Sequence, residues 1–309
     1  MFDATRKSME ALGLPQGDLW ELPESDKRFP DGAHFRIEIP TVNSVEALQS
    51  IFDTAEDLGI VVNRVDETYG IFRYSHRELQ QYAQIGRKYG AEINMSVGPR
   101  ATYDTGATVL SSQGVRIGYR LRGMEQVVRA VEDVKRACEV GIRGILVYDE
   151  GLLWVLKEMR DAGELPSNLH YKLSAHCGAG NPASFRVLQE LGADSINPVR
   201  DLQLPMMAAL RAAVDVPLDI HTDNPPGSGG FIRTYEAPEI TKVAAPVYLK
   251  TGNSQVSGHG QRTTAADAKR MVNQAAIVVE FMTKYMPEAV QSEPFAEGLS
   301  VPEPGGNVH

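Results

Sequence analysis

The sequence has only two cysteines, Cys138 and Cys177, among its 309 residues. Two thiols cannot form a disulfide framework, a four-thiolate zinc site or a cysteine-only iron–sulfur cluster, so no iron–sulfur cofactor is expected. Long hydrophobic runs are also missing, because none approaches the roughly 18 apolar residues of a membrane-spanning helix. The start, Met1 to Gly13, lacks the apolar stretch of a signal peptide. These absences predict a cytoplasmic protein with no membrane partner.

Positive charge is scarce as well. The chain has 31 Lys and Arg residues against 40 Asp and Glu residues, which gives a formal net charge of −9. Surfaces that bind nucleic acid are normally basic, so we expect no nucleic-acid partner. Local charge at a site can oppose the total, and the acidic balance therefore does not exclude a small anionic substrate.

Eight short apolar runs recur along the chain, with stretches of helical periodicity between most of them. The runs are Phe35 to Pro40, Ile60 to Thr68, Ala91 to Gly98, Gly144 to Glu150, His170 to Cys177, Ser195 to Asp201, Pro217 to Asp223 and Pro246 to Ser254. A strand–helix unit repeated eight times predicts an α/β fold, a single (β/α)8 TIM barrel with its active site at the carboxyl ends of the strands. Such barrels are often oligomeric, and the sequence leaves a homo-oligomer open.

We expect three parts: an N-terminal arm over residues 1–32, the barrel over residues 33–286, and a C-terminal tail over residues 287–309 that is extended or partly disordered. Helices are expected at Ser44 to Leu58, Ser75 to Tyr89, Glu125 to Glu139 and Thr264 to Tyr285. The long connection Pro99 to Gly123 lies on the catalytic side of such a barrel. It is typical of a lid or binding loop, and equally of a peripheral hairpin or an oligomer contact.

Polar residues fall on one parity within six of the strands, so they are expected to point into the barrel together. The set is Arg36, Glu38, Glu92, Asn94, Ser96, Lys172, Ser174, His176, Ser195, Asn197, Asp219, His221, Asp223, Tyr248 and Lys250. Barrel interiors are usually filled with branched aliphatic residues. A polar interior on this scale indicates a polar ligand, a metal or an ordered network of ions at the centre.

The seventh run is the richest in chemistry. Asp219 and His221 stand one pleat apart, about 7 Å along a strand. With His176 and Glu38 they form a candidate ligand set for a divalent metal such as Zn, Mn or Fe. The alternative is an interior in which histidine and aspartate only hydrogen-bond to each other. Without a metal, His176, His221, Asp219 and Lys250 are the candidate catalytic groups, with Lys250 a base or a Schiff-base nucleophile.

The candidate substrate-binding residues surround this set. Lys250 and Arg64 are expected to hold a carboxylate or carbonyl, and the loops from Asn224 and Thr251 a more distant anion. Flexible glycine loops are the competing interpretation of those last two segments. The full set of substrate-binding candidates is Glu38, Arg64, Asn94, Ser174, Asn197, Asn224, Thr251 and Asn253.

One segment, over residues 141–211, carries a family resemblance. Asp149 precedes Glu-Gly-Leu-Leu, Ser174 lies in Leu-Ser-Ala-His, Asn181 precedes a helix that ends in Leu-Gly-Ala, and Arg200-Asp201-Leu202 follows. This order resembles the collagenase-like peptidase family (peptidase family U thirty-two) over roughly a quarter of the chain. The resemblance implies a hydrolase or peptidase. Members that act in tRNA or ubiquinone hydroxylation carry a four-cysteine cluster, which this sequence does not have.

Three functions follow as hypotheses. The first is an enzyme that acts on a small anionic metabolite, a carboxylate or phosphate, by acid–base chemistry with or without a metal, as a lyase, isomerase or aldolase does. The second is the hydrolase or peptidase of the resemblance. The third is a non-catalytic barrel that binds a metabolite. The number of titratable groups at the strand ends favours an enzyme over binding alone.

Overall fold

Eight parallel strands close into a barrel in the computed structural model, which describes residues 1–98, 118–258 and 260–305. Each strand pairs with the next in chain order, and the eighth closes on the first. The strands are β1 Phe35–Ile39, β2 Arg64–Asp66, β3 Glu92–Ser96, β4 Gly144–Val147, β5 His170–Leu173, β6 Ser195–Ile196, β7 Leu218–His221 and β8 Val247–Lys250. The predicted (β/α)8 barrel is confirmed.

Helices alternate with these strands, after one helix in the arm. They are α1 Asp3–Ala11, α2 Val45–Leu58, α3 His76–Tyr89, α4 Gly123–Glu139, α5 Glu150–Asp161, α6 Pro182–Glu190, α7 Leu204–Ala213, α8 Ala237–Ala244 and α9 Ala265–Tyr285. Three of them begin within one residue of the predicted start. There Ser44, Ser75 and Thr264 each cap the helix by accepting a hydrogen bond from a backbone N–H of the first turn. Within the described ranges, no helix is both long and apolar enough to cross a bilayer.

Some boundaries differ from the prediction. The sixth apolar run was expected to be a strand as far as Asp201, but β6 ends at Ile196. The chain then leaves the sheet, and the Val199 N–H donates to the carbonyl of Ala179 at 2.8 Å. Helix α1 has no buried residue, so it needs no apolar face, and the sequence shows no apolar periodicity that would predict it. Most of the long connection, residues 99–117, lies outside the described residues, so the alternatives of a lid or binding loop and of a peripheral hairpin or oligomer contact both stay open.

The strands present apolar side chains outward and polar side chains inward. Ile37, Val65 and Ile93 belong to the core between barrel and helices. The inward residues Glu38, Asp66, Glu92, Lys172, Asp219 and Tyr248 are at most 2% exposed, and the strand register brings them to a common interior. The predicted polar interior is therefore confirmed, and it is filled by charged side chains where aliphatic ones usually pack.

The arm and the tail close the amino-terminal end of the barrel. Phe29 of the arm packs edge-on against Tyr248, with 5.2 Å between ring centroids. Ser292 and Ser300 of the tail bond to Arg36 and Glu92 inside the barrel. The tail was expected to be extended or partly disordered, but residues 287–305 are anchored, because buried polar groups of the strands need its donors and acceptors. The exact division at residues 32 and 286 stays a prediction.

Gly144 on β4 gives room to the polar interior. A Cβ at this position would lie 2.1 Å from Asn94 Oδ1 and 2.9 Å from the carbonyl oxygen of Ile93. We expect Gly144→Ala to lower the free energy of unfolding by about 1 to 3 kcal/mol, as overpacking does. Urea denaturation measures the change. Gly227→Ala is the control, since its Cβ would meet only the Ser257 carbonyl oxygen at 3.6 Å; an equal loss in both variants would contradict the steric explanation.

Candidate active site

Arg64 on β2 lies among carboxylates from three other strands. Its Nε donates to Glu92 Oε2 at 2.6 Å, and its Nη1 donates to Asp219 Oδ1 at 2.9 Å. Glu38 Oε2 lies 3.3 Å from Nη1, and the guanidinium covers the Tyr248 ring at 3.3 Å from the ring centroid. These contacts occupy the guanidinium inside the protein. The structure therefore places Arg64 in an internal network, away from the position expected for a substrate-binding residue.

A second group of ion pairs joins four strands. Lys172 Nζ contacts Glu38 Oε2 and lies 2.9 Å from Asp66 Oδ2. Lys250 Nζ lies 2.7 Å from Glu38 Oε1 and 2.5 Å from Asp66 Oδ2. We call Lys172, Lys250, Glu38 and Asp66 the lysine–carboxylate ring, because each lysine contacts both carboxylates. The opposite charges offset a burial that would be costly for any one of them alone.

The ring sets the protonation of its members. Burial raises the pKa of Glu38, and the charge of Asp66 acts in the same direction against the two lysines. Burial also raises the pKa of Asp66, but Lys172 and Lys250 outweigh it and hold that pKa well below its usual range. Burial lowers the pKa of Lys250, but the two carboxylates outweigh it and raise the pKa. Lys250 is therefore a protonated ammonium, and without a lone pair it is a poor Schiff-base nucleophile.

The four candidate metal ligands are separated by these pairings. Glu38 is bound to the lysines, and Asp219 is bound to Arg64 and to Ser195 Oγ at 3.0 Å. In the described parts of the chain, no three His, Cys, Asp or Glu side chains are grouped as a metal site requires. Glu38, His176, Asp219 and His221 thus do not form the divalent site that their spacing suggested, because cations from other strands take up the carboxylates.

A small pocket lies beside Lys250 at the carboxyl ends of the strands, with room for about one water molecule. Its lining includes five of the predicted site residues, Ser174, Asn197, His221, Lys250 and Asn253. It also includes residues that were not predicted as site residues, Pro40, Thr41, Thr68, Leu146 and Arg200. Pro40, Thr68, Leu146 and Arg200 lie within the apolar runs, and Thr41 directly follows the first run. Their position at or near the carboxyl ends of the strands was the available signal.

His221 lines the pocket from β7. Its side chain is buried, and neither Nδ1 nor Nε2 has a hydrogen-bond partner in the described residues. Burial lowers the pKa of His221 well below its usual value, and the positive charges of Lys250 and Arg200 lower it further. The backbone of Asp223 faces the ring and acts in the opposite direction, but it does not outweigh them. The imidazole is therefore neutral at pH 7. Asp219 does not orient it, since both oxygens of that carboxylate bind Arg64 and Ser195 instead; the expected Asp219–His221 pair is not formed.

His176 lies on a short turn after β5, where it contacts Arg200, a residue that lines the pocket. Arg200 Nη2 is 3.2 Å from His176 Nε2, and the imidazole stacks on Tyr119 with 4.0 Å between ring centroids. A guanidinium can only donate, so His176 Nε2 is the acceptor. His176 does not itself line the pocket. The structure therefore places the second candidate catalytic histidine against Arg200.

The loop after β8 was expected to bind a distant anion, but its backbone amides already face the carboxylate of Asp223. Asp223 Oδ2 accepts the Ser254 N–H at 2.8 Å, and the amides of Gly252 and Asn253 are also directed to this carboxylate. Burial nevertheless raises the pKa of Asp223. An external anion at these amides would have to displace Asp223. The predicted anion site is thus filled by the protein's own side chain.

The remaining candidates lie beside the pocket or beneath it. Asn224 accepts a hydrogen bond from Asn253 Nδ2 at 3.3 Å, and Thr251 is buried with its Oγ1 unpaired in the described residues. Neither residue lines the pocket. Asn94 Nδ2 donates to Asp66 Oδ1 at 3.1 Å and so supports the lysine–carboxylate ring. These three therefore contribute to the surroundings of the pocket.

Comparison with known proteins adds similarity of fold. No family model and no curated protein matches the sequence. Similar solved structures include a U32 peptidase, at 18% identity with a TM-score of 0.39 over 66% of this chain and 74% of that one. Another is a phospho-2-dehydro-3-deoxyheptonate aldolase from Thermotoga maritima, at 12% identity with a TM-score of 0.49 over 84% of this chain and 72% of that one. A third is a 3-hexulose-6-phosphate synthase, at 14% identity with a TM-score of 0.42 over 78% of this chain and 99% of that one. The resemblance to the peptidase family is therefore distant and structural, and likeness of this size does not extend to activity.

Proposed function

We propose that this protein is an enzyme that binds a small anionic metabolite at the pocket and uses His221 to move a proton. The observation that carries the proposal is a buried histidine that lines the pocket and has no side-chain hydrogen-bond partner among the described residues. Buried polar atoms in proteins are nearly always hydrogen-bonded, so an exception at the carboxyl ends of barrel strands indicates a missing partner. A substrate atom is the partner that the position favours.

The charges around His221 suit a particular kind of reaction. The neutral imidazole can accept a proton, and Lys250 stands beside it in the strand register as a fixed positive charge. Removal of a proton next to a carbonyl leaves negative charge on oxygen, which a preorganised cation stabilises. Lyases, isomerases and aldolases share this step. Lys250 would then act as an electrostatic group, with its proton retained by Glu38 and Asp66.

The geometry supports a hydrolase less well than it supports proton transfer, because no candidate nucleophile is paired with a base. Cys177 follows β5, but burial raises the pKa of its thiol to about 12, so the reactive thiolate is scarce. Ser174 lines the pocket, yet its hydroxyl oxygen accepts the backbone N–H of His176 at 3.2 Å and serves as the cap of a turn. Neither residue shows the nucleophile–base pair that peptide cleavage requires.

His221→Gln tests the proposal. The native protein is incubated in D2O with a panel of 2-keto acids and phosphorylated ketoses, and NMR follows deuterium entering the carbon next to the carbonyl. We expect exchange with at least one compound, and a loss of about 10²- to 10⁴-fold in the variant, as removal of a general base produces. Because the pKa of His221 is well below 6.5, the native rate should fall only when the pH is well below that value.

His76→Gln is the matched control, since His76 lies exposed at the start of α3, away from the pocket, and its ring hydrogen-bonds to Gln80. Its exchange rate should equal that of the native protein. Native-like exchange in His221→Gln, with the same compound, would remove His221 from the reaction and with it the proposed function.

A further inference from the structure

Arg200 differs from the other cations of the barrel interior. Arg36, Arg64, Lys172 and Lys250 each lie within 4 Å of a carboxylate. Arg200 forms no ion pair with any described residue, and its Nε has no hydrogen-bond partner there. It is half-buried at the end of the β6 run and lines the same pocket as His221. A guanidinium that is partly removed from water normally has an acidic partner, and Arg200 has none among the described residues.

The side chain is nevertheless held in place. Its Nη2 donates to His176 Nε2 at 3.2 Å, and His176 in turn stacks on Tyr119. Burial lowers the pKa of Arg200, and among the described residues Tyr119 and Tyr148 act against this without outweighing it. Arginine remains charged in proteins, so the cost of burial persists as an unbalanced positive charge. The fixed position and the free Nε–H leave donors for an incoming ligand.

We propose that Arg200 binds the carboxylate of the substrate, and that this presents the proton-bearing carbon next to the substrate's carbonyl to His221. This assignment rests on the proposed function for its catalytic meaning, but the binding it describes is independent of turnover. A guanidinium matches a carboxylate through two parallel hydrogen bonds. The pocket has room for only about one water molecule, so it must widen for any substrate, and a planar carboxylate requires less widening than a tetrahedral phosphate.

The proposal also gives Lys250 and Arg200 separate roles. The charge of Lys250 is balanced by Glu38 and Asp66, so it is available to polarise an oxygen but does not require an anion. The charge of Arg200 has no counter-ion among the described residues, so this side chain does require an anion. A bound carboxylate would supply the counter-ion that the described residues do not.

The test measures binding of oxalate to the intact protein by calorimetry, with oxamide as the uncharged analogue and inorganic phosphate as the alternative oxyanion. We expect the native protein to bind oxalate more tightly than phosphate and to show no binding of oxamide. Arg200→Gln should weaken oxalate binding by about 10- to 100-fold, the usual effect of losing a charge-assisted hydrogen bond. Arg200→Lys should restore only part of the affinity, because an ammonium lacks the planar fork.

Arg233→Gln is the matched control. Arg233 follows β7 as Arg200 follows β6, but its guanidinium is balanced by Glu236 and does not line the pocket. Oxalate affinity should be native in this variant. The inference is overturned if the native protein does not bind oxalate, if Arg200→Gln binds it as the native protein does, or if phosphate is preferred. These outcomes are separate from the exchange rate of His221→Gln, so the binding assignment and the proposed reaction can fail independently.

Discussion

Replacing Lys172 with methionine is expected to lower the free energy of unfolding by about 3 to 5 kcal/mol. The ammonium of Lys172 contacts Glu38 and Asp66 and lies 3.7 Å from Asp219 Oδ2, all in the buried interior. Methionine has a similar length but no charge, so the packing is largely kept while three carboxylates lose a cation. An uncompensated buried charge costs far more than a surface pair is worth. Urea denaturation at neutral pH measures the difference.

The loss should be smaller in acid. Because Lys172 and Lys250 hold the folded pKa of Asp66 well below its usual value, this carboxylate contributes stability above its unfolded pKa, and that stability is lost as the pH falls through the folded pKa. Without Lys172, the folded variant takes up protons more readily than the folded native protein. The gap in stability between the two should therefore narrow as the pH falls below about 4, the pKa of aspartate in the unfolded chain.

Two further variants distinguish charge from packing. Glu38→Gln with Lys172→Met removes one charge of each sign from the lysine–carboxylate ring, and should cost less than the sum of the single changes by about 0.5 to 3 kcal/mol. Lys157→Met is the surface control, because Lys157 pairs with Asp161 on the exposed face of α5 and should matter little. Strict additivity of the two ring substitutions would contradict a direct ion pair.

The fold could be predicted because its signals are local. The alternation of Ile37 with Glu38, and of Ile220 with His221, gives a period of two that fixes which face of each strand is buried against helices. Capping side chains such as Ser75 mark where helices begin. The anchored tail could not be predicted, since Ser292 and Ser300 are ordinary polar residues until the barrel places Arg36 and Glu92 opposite them.

The site could be predicted only as a group of residues. The alternation of side chains along a strand places Asp219 and His221 on the same face of β7. It does not show which residues of the opposite strands these side chains meet across the barrel. The partner of Asp219 is Arg64, which is 155 residues away in sequence and reaches it through the interior. Asp66 was overlooked although it shares the parity of Arg64, and it proved to contact both lysines of the ring. Contacts across a closed barrel depend on its stagger, and no local pattern in the sequence records that stagger.

Ending the chain after Glu288 is expected to abolish cooperative folding. The removed segment closes the amino-terminal end of the barrel: Ser292 Oγ accepts from Arg36 Nε at 2.8 Å, and the Ser300 N–H donates to Glu92 Oε1 at 2.9 Å. Each buried group left without a partner costs about 1 to 3 kcal/mol. Several such losses approach the whole stability of a typical domain, about 5 to 15 kcal/mol. Thermal unfolding followed by circular dichroism measures the effect.

The loss of stability on truncation is expected to be large because the tail bonds to several strands at once. A single substitution in the tail shows how much the loss of one hydrogen bond contributes. Ser300→Ala in the full chain removes only the hydroxyl of Ser300, and Glu92 keeps the backbone N–H together with Arg64 and the Tyr248 hydroxyl. It should lower the free energy of unfolding by about 1 kcal/mol and leave the transition cooperative. The truncated chain instead also loses the bond from the Glu303 N–H to the Gly141 carbonyl oxygen beside β4. A native-like melting temperature after truncation would mean that the charged interior is stable without this closure.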